Sequence, residues 1–252
     1  MTAPDAASDT MATLSVRQRM AVALRILGEA GYQDKVTGHL TVRDRDDSAV
    51  LVNPVDVLWV DMRAADLLRV APDGSILEGV RRFNPTTGFH FAIHQRRHDV
   101  RVVLHNHPPF GNIWAAAGRM PPLLDQSGAN GGGSTVMVSE YEGTLEDVGR
   151  AERLAIAFGK ADVAVLAHHG VLVVGEDLEI VLARALSFEW RCQRAYEVAS
   201  MGIADPAEIP ADAAEQIGKF AHEFGEVLFD VYGRRIIESD PSVLDDLEGV
   251  TT

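Results

Sequence analysis

Apolar residues recur along this chain with two periods, and each change of period marks a new element. From Ser15 to Ala30, SVRQRMAVALRILGEA places Met20, Ala23, Leu24 and Leu27 at helical spacing, and Gly31 follows as a stop. HLTVRDR and AVLVNP alternate or run apolar, which predicts two strands joined by the polar DRDDS turn. MRAADLLRVAPDG predicts a short helix and then a strand entering an Asp-Gly turn. GFHFAIHQRRHD reads as a helix, VRVVLHNH as a buried strand and GNIWAAAGR as a second short helix. LEDVGRAERLAIAFG is helical, ADVAVLAHHGVLVVG is a strand pair around a tight turn, and DLEIVLARALSFEWRCQRAYEVASMG is a long helix. Beyond Pro206, AAEQIGKFAHEFGEVLFDVYGRR predicts one more amphipathic helix. Interspersed strands and helices without an internal repeat predict one α/β (α+β) body. Residues 1–12, small and polar, read as a flexible tail. Residues 13–205 form the domain, and 206–252 a C-terminal helical extension and tail.

Charge narrows the partners. A net charge of −14 disfavours a nucleic-acid backbone or an anionic membrane, and no basic stripe reverses it locally. No apolar run is long enough to span a bilayer, and MTAPDAASDTMATL lacks the positive and apolar regions of a secretory signal. A cytoplasmic protein acting on a small molecule is the expectation. The single cysteine, Cys192, has no intramolecular partner and lies in a helical stretch as a packed thiol.

The chemistry is concentrated in three histidines. His105 and His107 stand two apart in VVLHNHPP, so a strand turns both imidazoles to one face. His169 ends the apolar run ADVAVLAH, just before a glycine turn. Three neutral nitrogens leave coordination positions open, as a catalytic metal requires. His168 points away from His169 if the segment is extended. His90 and His94 share a helix face without an HExxH pattern and read as packing or supporting residues. Arg96 and Arg97 read as solvated or salt-bridged residues near Asp99, and His98 and His222 as surface or interface residues. The glycine-rich SGANGGGST neither follows a clear strand nor opens a helix in a phosphate-binding pattern, so it reads as a mobile loop near the site.

GHLTVRD, LVNP, FNPTTGFHFAIHQRRHDVRVVLHNH, EYEGT and LAHHGVLVVG occur in the order found in the class II aldolase/adducin family, which the chain resembles from about Leu14 to Ala199. The resemblance implies a central, mostly antiparallel sheet flanked by helices, and a cyclic homotetramer with each metal site near a subunit interface. It implies His105, His107 and His169 as ligands of one divalent ion, whether zinc, manganese, iron or cobalt. It also brings out departures. Sugar-phosphate aldolases of the family carry Gly-Asn where this chain has Gly38-His39, and Ser-Ser-Glu where it has Asn84, Pro85 and Thr86. Asp56 stands where their phosphate loop has a small residue, and its charge would repel a phosphate. The chain is more similar to the adducin-like and decarboxylase branch.

Retro-aldol cleavage must remove a hydroxyl proton, the task of the family's Glu; Thr86 is no base near neutral pH. Decarboxylation needs only protonation of the carbanion left behind. The expected activity is therefore a metal-dependent C–C lyase, a decarboxylase of a small hydroxy- or oxo-acid, including ortho-hydroxy aromatic acids. His39 and Tyr141 are the candidate catalytic residues, with Glu140 a further proton donor. Three alternatives are an aldolase acting on a non-phosphorylated substrate, a non-haem Fe(II) oxygenase of the same fold, and a non-enzymatic adducin-like interaction protein.

Overall fold

Strands that are apolar on both faces need cover on both sides, and this chain supplies it with helices. The computed structural model describes residues 11–140, 143 and 147–247. Its strands are β1 (His39–Arg43), β2 (Val50–Val52), β3 (Leu68–Val70), β4 (Ile76–Glu78), β5 (Val102–Asn106), β6 (Thr135–Val138), β7 (Val163–Leu166) and β8 (Gly170–Gly175). They form one sheet in the order β4-β3-β2-β1-β5-β8-β7-β6, antiparallel throughout except where β6 pairs with β7. The helices are α1 (Val16–Glu29), α2 (Gly88–Arg96), α3 (Pro109–Ala117), α4 (Gln126–Ala129), α5 (Val148–Phe158), α6 (Leu178–Ser200), α7 (Ala211–Gly218) and α8 (Ala221–Ser239). This is the α/β fold that the sequence pattern predicts, with the mostly antiparallel sheet that the family resemblance implies.

Alternate residues of the central strands go to opposite layers. Val102, Leu104, Val171 and Val173 join Leu24 and Leu27 of α1, Val181 and Phe188 of α6, and Phe229 and Ile236 of α8. Val103, Leu172 and Val174 pack with Phe89 and Ile93 of α2 and with Leu154 and Phe158 of α5. By the same alternation, His105 belongs to the α2 side of the sheet. The entry to α1 is held by a capping box, in which Ser15 and Gln18 bond each other's backbone N–H groups.

Three sequence expectations change. The single helix expected after Pro206 is two, interrupted at Lys219 and Phe220 directly after Gly218, whose backbone lies against Gly132. That segment also supplies Phe229, Ile236 and Val243 to the main core, and Met11 is buried in the same cluster, so packing reaches into both flanking stretches. The glycine-rich segment is not beside the histidines. It forms α4 and then packs Gly131 against Arg184 and Ser187 of α6, leading into the start of β6. Thr135 pairs with Val163 at that end, whereas His169 follows the opposite end of β7.

Candidate metal centre

β5 carries His105 and, just past its end, His107; His169 closes the turn between β7 and β8. The ligand nitrogens of the three all lie within 4.8 Å of one another. Ring centroids of His105 and His169 are 4.7 Å apart, and His107 is 5.2 Å from each. Gly170 permits this approach: a Cβ there would stand 2.5 Å from His107 Cδ2 and 2.5 Å from the Asn106 carbonyl.

Two of the rings are held from behind. His105 Nδ1 lies 3.0 Å from the Val171 carbonyl, so it carries the proton and leaves Nε2 bare. His107 Nδ1 lies 3.0 Å from Asp34 Oδ2, and its Nε2 is buried without a hydrogen-bond partner. A carbonyl and a carboxylate thereby orient both imidazoles with their free nitrogens turned into the cluster, as in carboxylate–histidine–metal sites. Burial, and then neighbouring His107, lowers the His169 pKa to about 4. Burial, followed by His169 and His39, keeps His105 well below its ordinary value. Neutral imidazole is the ligating form, so the donor set and the orphaned nitrogen of His107 both fit a divalent ion.

His39 faces this cluster across the sheet. It is the register partner of His105, and their rings are 5.1 Å apart. Its Nε2 lies 3.1 Å from Thr86 Oγ1, while Phe89 packs edge-on against both His39 and His105. The preceding turn admits only glycine at position 38, where a Cβ would stand 2.6 Å from the Trp59 ring and 2.7 Å from Asn106 Oδ1. Asn53 clamps the same turn, accepting from Leu40 N at 2.8 Å and donating to the Gly38 carbonyl at 3.2 Å. Burial, then His169 and His107, lowers the His39 pKa to about 3.

The remaining candidates divide. Tyr141 lies outside the described residues. Glu140 is exposed and lines a cavity with His169, Arg150 and Arg153. His168 is exposed in the turn. Arg96 pairs with Glu152 on the surface, and the half-buried Arg97 pairs with Asp99. Asp56 pairs with Arg81 at 3.3 Å, so its charge is compensated. Burial pushes the Cys192 thiol up, away from the reactive thiolate. Glu176, Asp177 and His222 form a second metal-capable group, but His222 Nε2 is engaged at 2.7 Å by Asp177 and its pKa is raised by that bond. Asp34, Asn53 and Asn106 support the centre without a sequence signal, since single polar residues in turns or at strand ends have no period or spacing to mark them.

The sequence model of the family described as "Class II Aldolase and Adducin N-terminal domain" matches residues 18–196. The chain belongs to the class II aldolase/adducin family. Among curated relatives, the 5-methylthioribulose-1-phosphate/5-deoxyribulose-1-phosphate aldolase of Rhodospirillum rubrum is 28% identical over 221 residues, covering 84% of this chain and 94% of that protein. Decarboxylase NovR of Streptomyces niveus is 29% identical over 205 residues, covering 80% of this chain and 75% of that one. The L-fuculose 1-phosphate aldolase structure from Glaciozyma antarctica superposes with a TM-score of 0.78 at 23% identity, covering 91% of this chain and 92% of that one. At that identity the likeness is one of fold. Aldolase and decarboxylase names thus both occur among relatives of this class II aldolase-like chain, and no described helix is long and apolar enough to cross a membrane.

Proposed function

We propose that this family member is a metal-dependent carbon–carbon lyase that decarboxylates a small hydroxy- or oxo-acid, a class that includes ortho-hydroxy aromatic acids. The observation that carries the reading is His39, with Thr86 on its Nε2, facing the three-histidine cluster. His105, His107 and His169 would hold the divalent ion, zinc, manganese, iron or cobalt, whose chemistry there is to stabilise negative charge left on the substrate as the C–C bond breaks. His39 supplies the proton that the product carbanion takes up once carbon dioxide has left. Phe89 excludes water from the ring faces of His39 and His105. Loss of carbon dioxide demands no base at Asn84–Thr86, where this chain has no acid. The decarboxylase name of the Streptomyces niveus relative supports the same direction. A homotetramer is proposed on the family resemblance. Metal-loaded protein is expected to release carbon dioxide from a panel of ortho-hydroxy aromatic and 2-oxo acids, and the His105→Ala variant is not. Silence across the panel would sink the reading.

A second reading, aldol cleavage of a non-phosphorylated substrate, is favoured by Glu140. Its carboxylate lines the cavity shared with His169 and offers a base on the other side of the cluster. Metal-dependent condensation of an aldehyde with a ketone, lost in Glu140→Gln, would select it.

A further inference from the structure

Five side chains stand in single file from the metal centre into the body of the protein. Thr86 Oγ1 lies 3.1 Å from His39 Nε2, and His39 Nδ1 lies 2.8 Å from His90 Nε2. His90 Nδ1 is then 3.0 Å from Thr41 Oγ1, which is 2.9 Å from His94 Nε2. The row follows from the pattern of the elements: His39 and Thr41 share one face of β1, and His90 and His94 share one face of α2. All four are buried.

Both ends of the row are acceptors. Asn84 Oδ1 accepts from Thr86 N at 3.0 Å, which fixes its amide, and lies 2.9 Å from Thr86 Oγ1. At the other end, His94 Nδ1 is buried without a hydrogen-bond partner, and the Val100 backbone acts on the ring as an acceptor. The His94 ring lines a cavity of about 200 Å³ with Arg43, Asp47, Phe91 and His98, in which Asp47 pairs with Arg43 at 3.2 Å.

Counting protons orients the row. A neutral imidazole brings one N–H and a hydroxyl one O–H, so the five side chains hold one proton fewer than the links from Asn84 to Val100 require. Asn84 Oδ1 can only accept, so Thr86 donates to it, and His39 must donate from Nε2. His39 Nδ1 then accepts from His90, His90 Nδ1 accepts from Thr41, and Thr41 accepts from His94 Nε2. The missing proton falls on His94 Nδ1, the atom found without a partner. Count and geometry agree.

We infer that this row is a proton path, entered at His94 and discharged at His39 and Thr86 beside the three-histidine cluster. A proton taken up at His94 Nδ1 frees the Nε2 proton for Thr41, whose own proton passes to His90 Nδ1. His90 Nε2 passes one to His39 Nδ1, and His39 gives up its Nε2 proton to the carbanion left on the substrate when carbon dioxide departs. One proton enters, one leaves, and no charge remains. Each ring then holds its proton on Nδ1 and must turn over before the next passage. The inference rests on the proposed lyase reaction, which consumes one proton for each carbon dioxide released. His90, Thr41 and His94 act through His39 and are positioning residues.

The test is nitrogen-15 NMR of the full-length chain with both histidine ring nitrogens labelled. In the native protein His39, His90 and His94 are expected to carry their protons on Nε2. In Asn84→Ala the far acceptor is gone, Thr86 donates to His39 instead, and His94 is expected to move its proton to Nδ1. Thr86→Val removes the same end of the row and should give the same switch if the first variant does not fold. A native His94 already protonated on Nδ1, or one that ignores both changes, overturns the path. Thr41→Val cuts the row and should lower kcat for decarboxylation about a hundredfold at unchanged KM; an undiminished kcat also overturns it. Should the switch occur in a chain that decarboxylates nothing, the proton order of the row stands, but the lyase reading falls and the path to His39 falls with it.

Discussion

Asp34 Oδ2 stands 3.0 Å from Nδ1 of His107, behind the ring whose other nitrogen points into the three-histidine cluster. Burial pushes the Asp34 carboxyl up, but the hydrogen bonds of His107 and Lys35 outweigh it and hold the pKa below the ordinary value. Asp34 is therefore ionised at neutral pH and fixes the orientation of the His107 ring as a ligand. Asp34→Asn is expected to weaken metal binding about 10- to 100-fold while leaving the fold intact. Competition against a chelator measures this, and unchanged affinity would show that the carboxylate only stabilises the turn.

Gly170 gives a steric counterpart. Gly170→Ala places a Cβ 2.5 Å from His107 Cδ2 and from the Asn106 carbonyl. The overpacking is expected to cost about 1–3 kcal/mol and to displace His107 from the cluster. Thermal unfolding and metal content of the variant should fall together; full metal occupancy would contradict the geometry.

The three-histidine cluster was legible where residues follow a period. His105 and His107 share a strand face, and His169 ends an apolar run at a turn, so spacing marks them as candidates and the family order of motifs joins them. The strands and most helices were legible for the same reason, because their alternation matches the layers that they contact. What stayed hidden depends on close approach between distant segments. The glycine-rich loop resembles an active-site loop in composition, yet Gly131 serves to pass flush against α6 at the other end of the sheet. The break at Lys219 and Phe220 arises where Gly218 meets Gly132, a contact that no local pattern encodes. His90 and His94 were visible as one helix face, but their role depends on Thr41 and His39 across the layer.

The buried histidines make stability sensitive to acid. Burial, then neighbouring His169 and His107, lowers the His39 pKa to about 3, and burial, then Arg43, lowers that of His94 to about 3. Unfolded, both titrate near about 6.5. Above that pH neither state binds the extra proton and stability is at its full value. As pH falls below it, the unfolded chain gains protons that the folded chain refuses. Metal-free protein should lose about 1.4 kcal/mol per pH unit for each of these two histidines, continuing toward about pH 3. Urea unfolding at a series of pH values below neutrality checks the slope; a flat profile would mean that the histidines are charged in the fold.

His39 is the proposed proton donor, and its replacement separates chemistry from binding. His39→Gln retains a hydrogen-bonding side chain beside Thr86 but cannot pass a proton near neutral pH. It is expected to reduce kcat about 10²- to 10⁴-fold with little change in KM. Equal loss in both, or none, would remove His39 from the reaction.

The measurement that bears most directly on the centre is elemental analysis of protein purified without chelators, beside a His105→Ala variant. About one equivalent of divalent metal per chain is expected in the native protein and close to none in the variant, because the three imidazoles ligate as a set. Native protein that takes up no metal even on reconstitution, or a variant that binds as much as the native chain, would contradict a metal site at His105, His107 and His169.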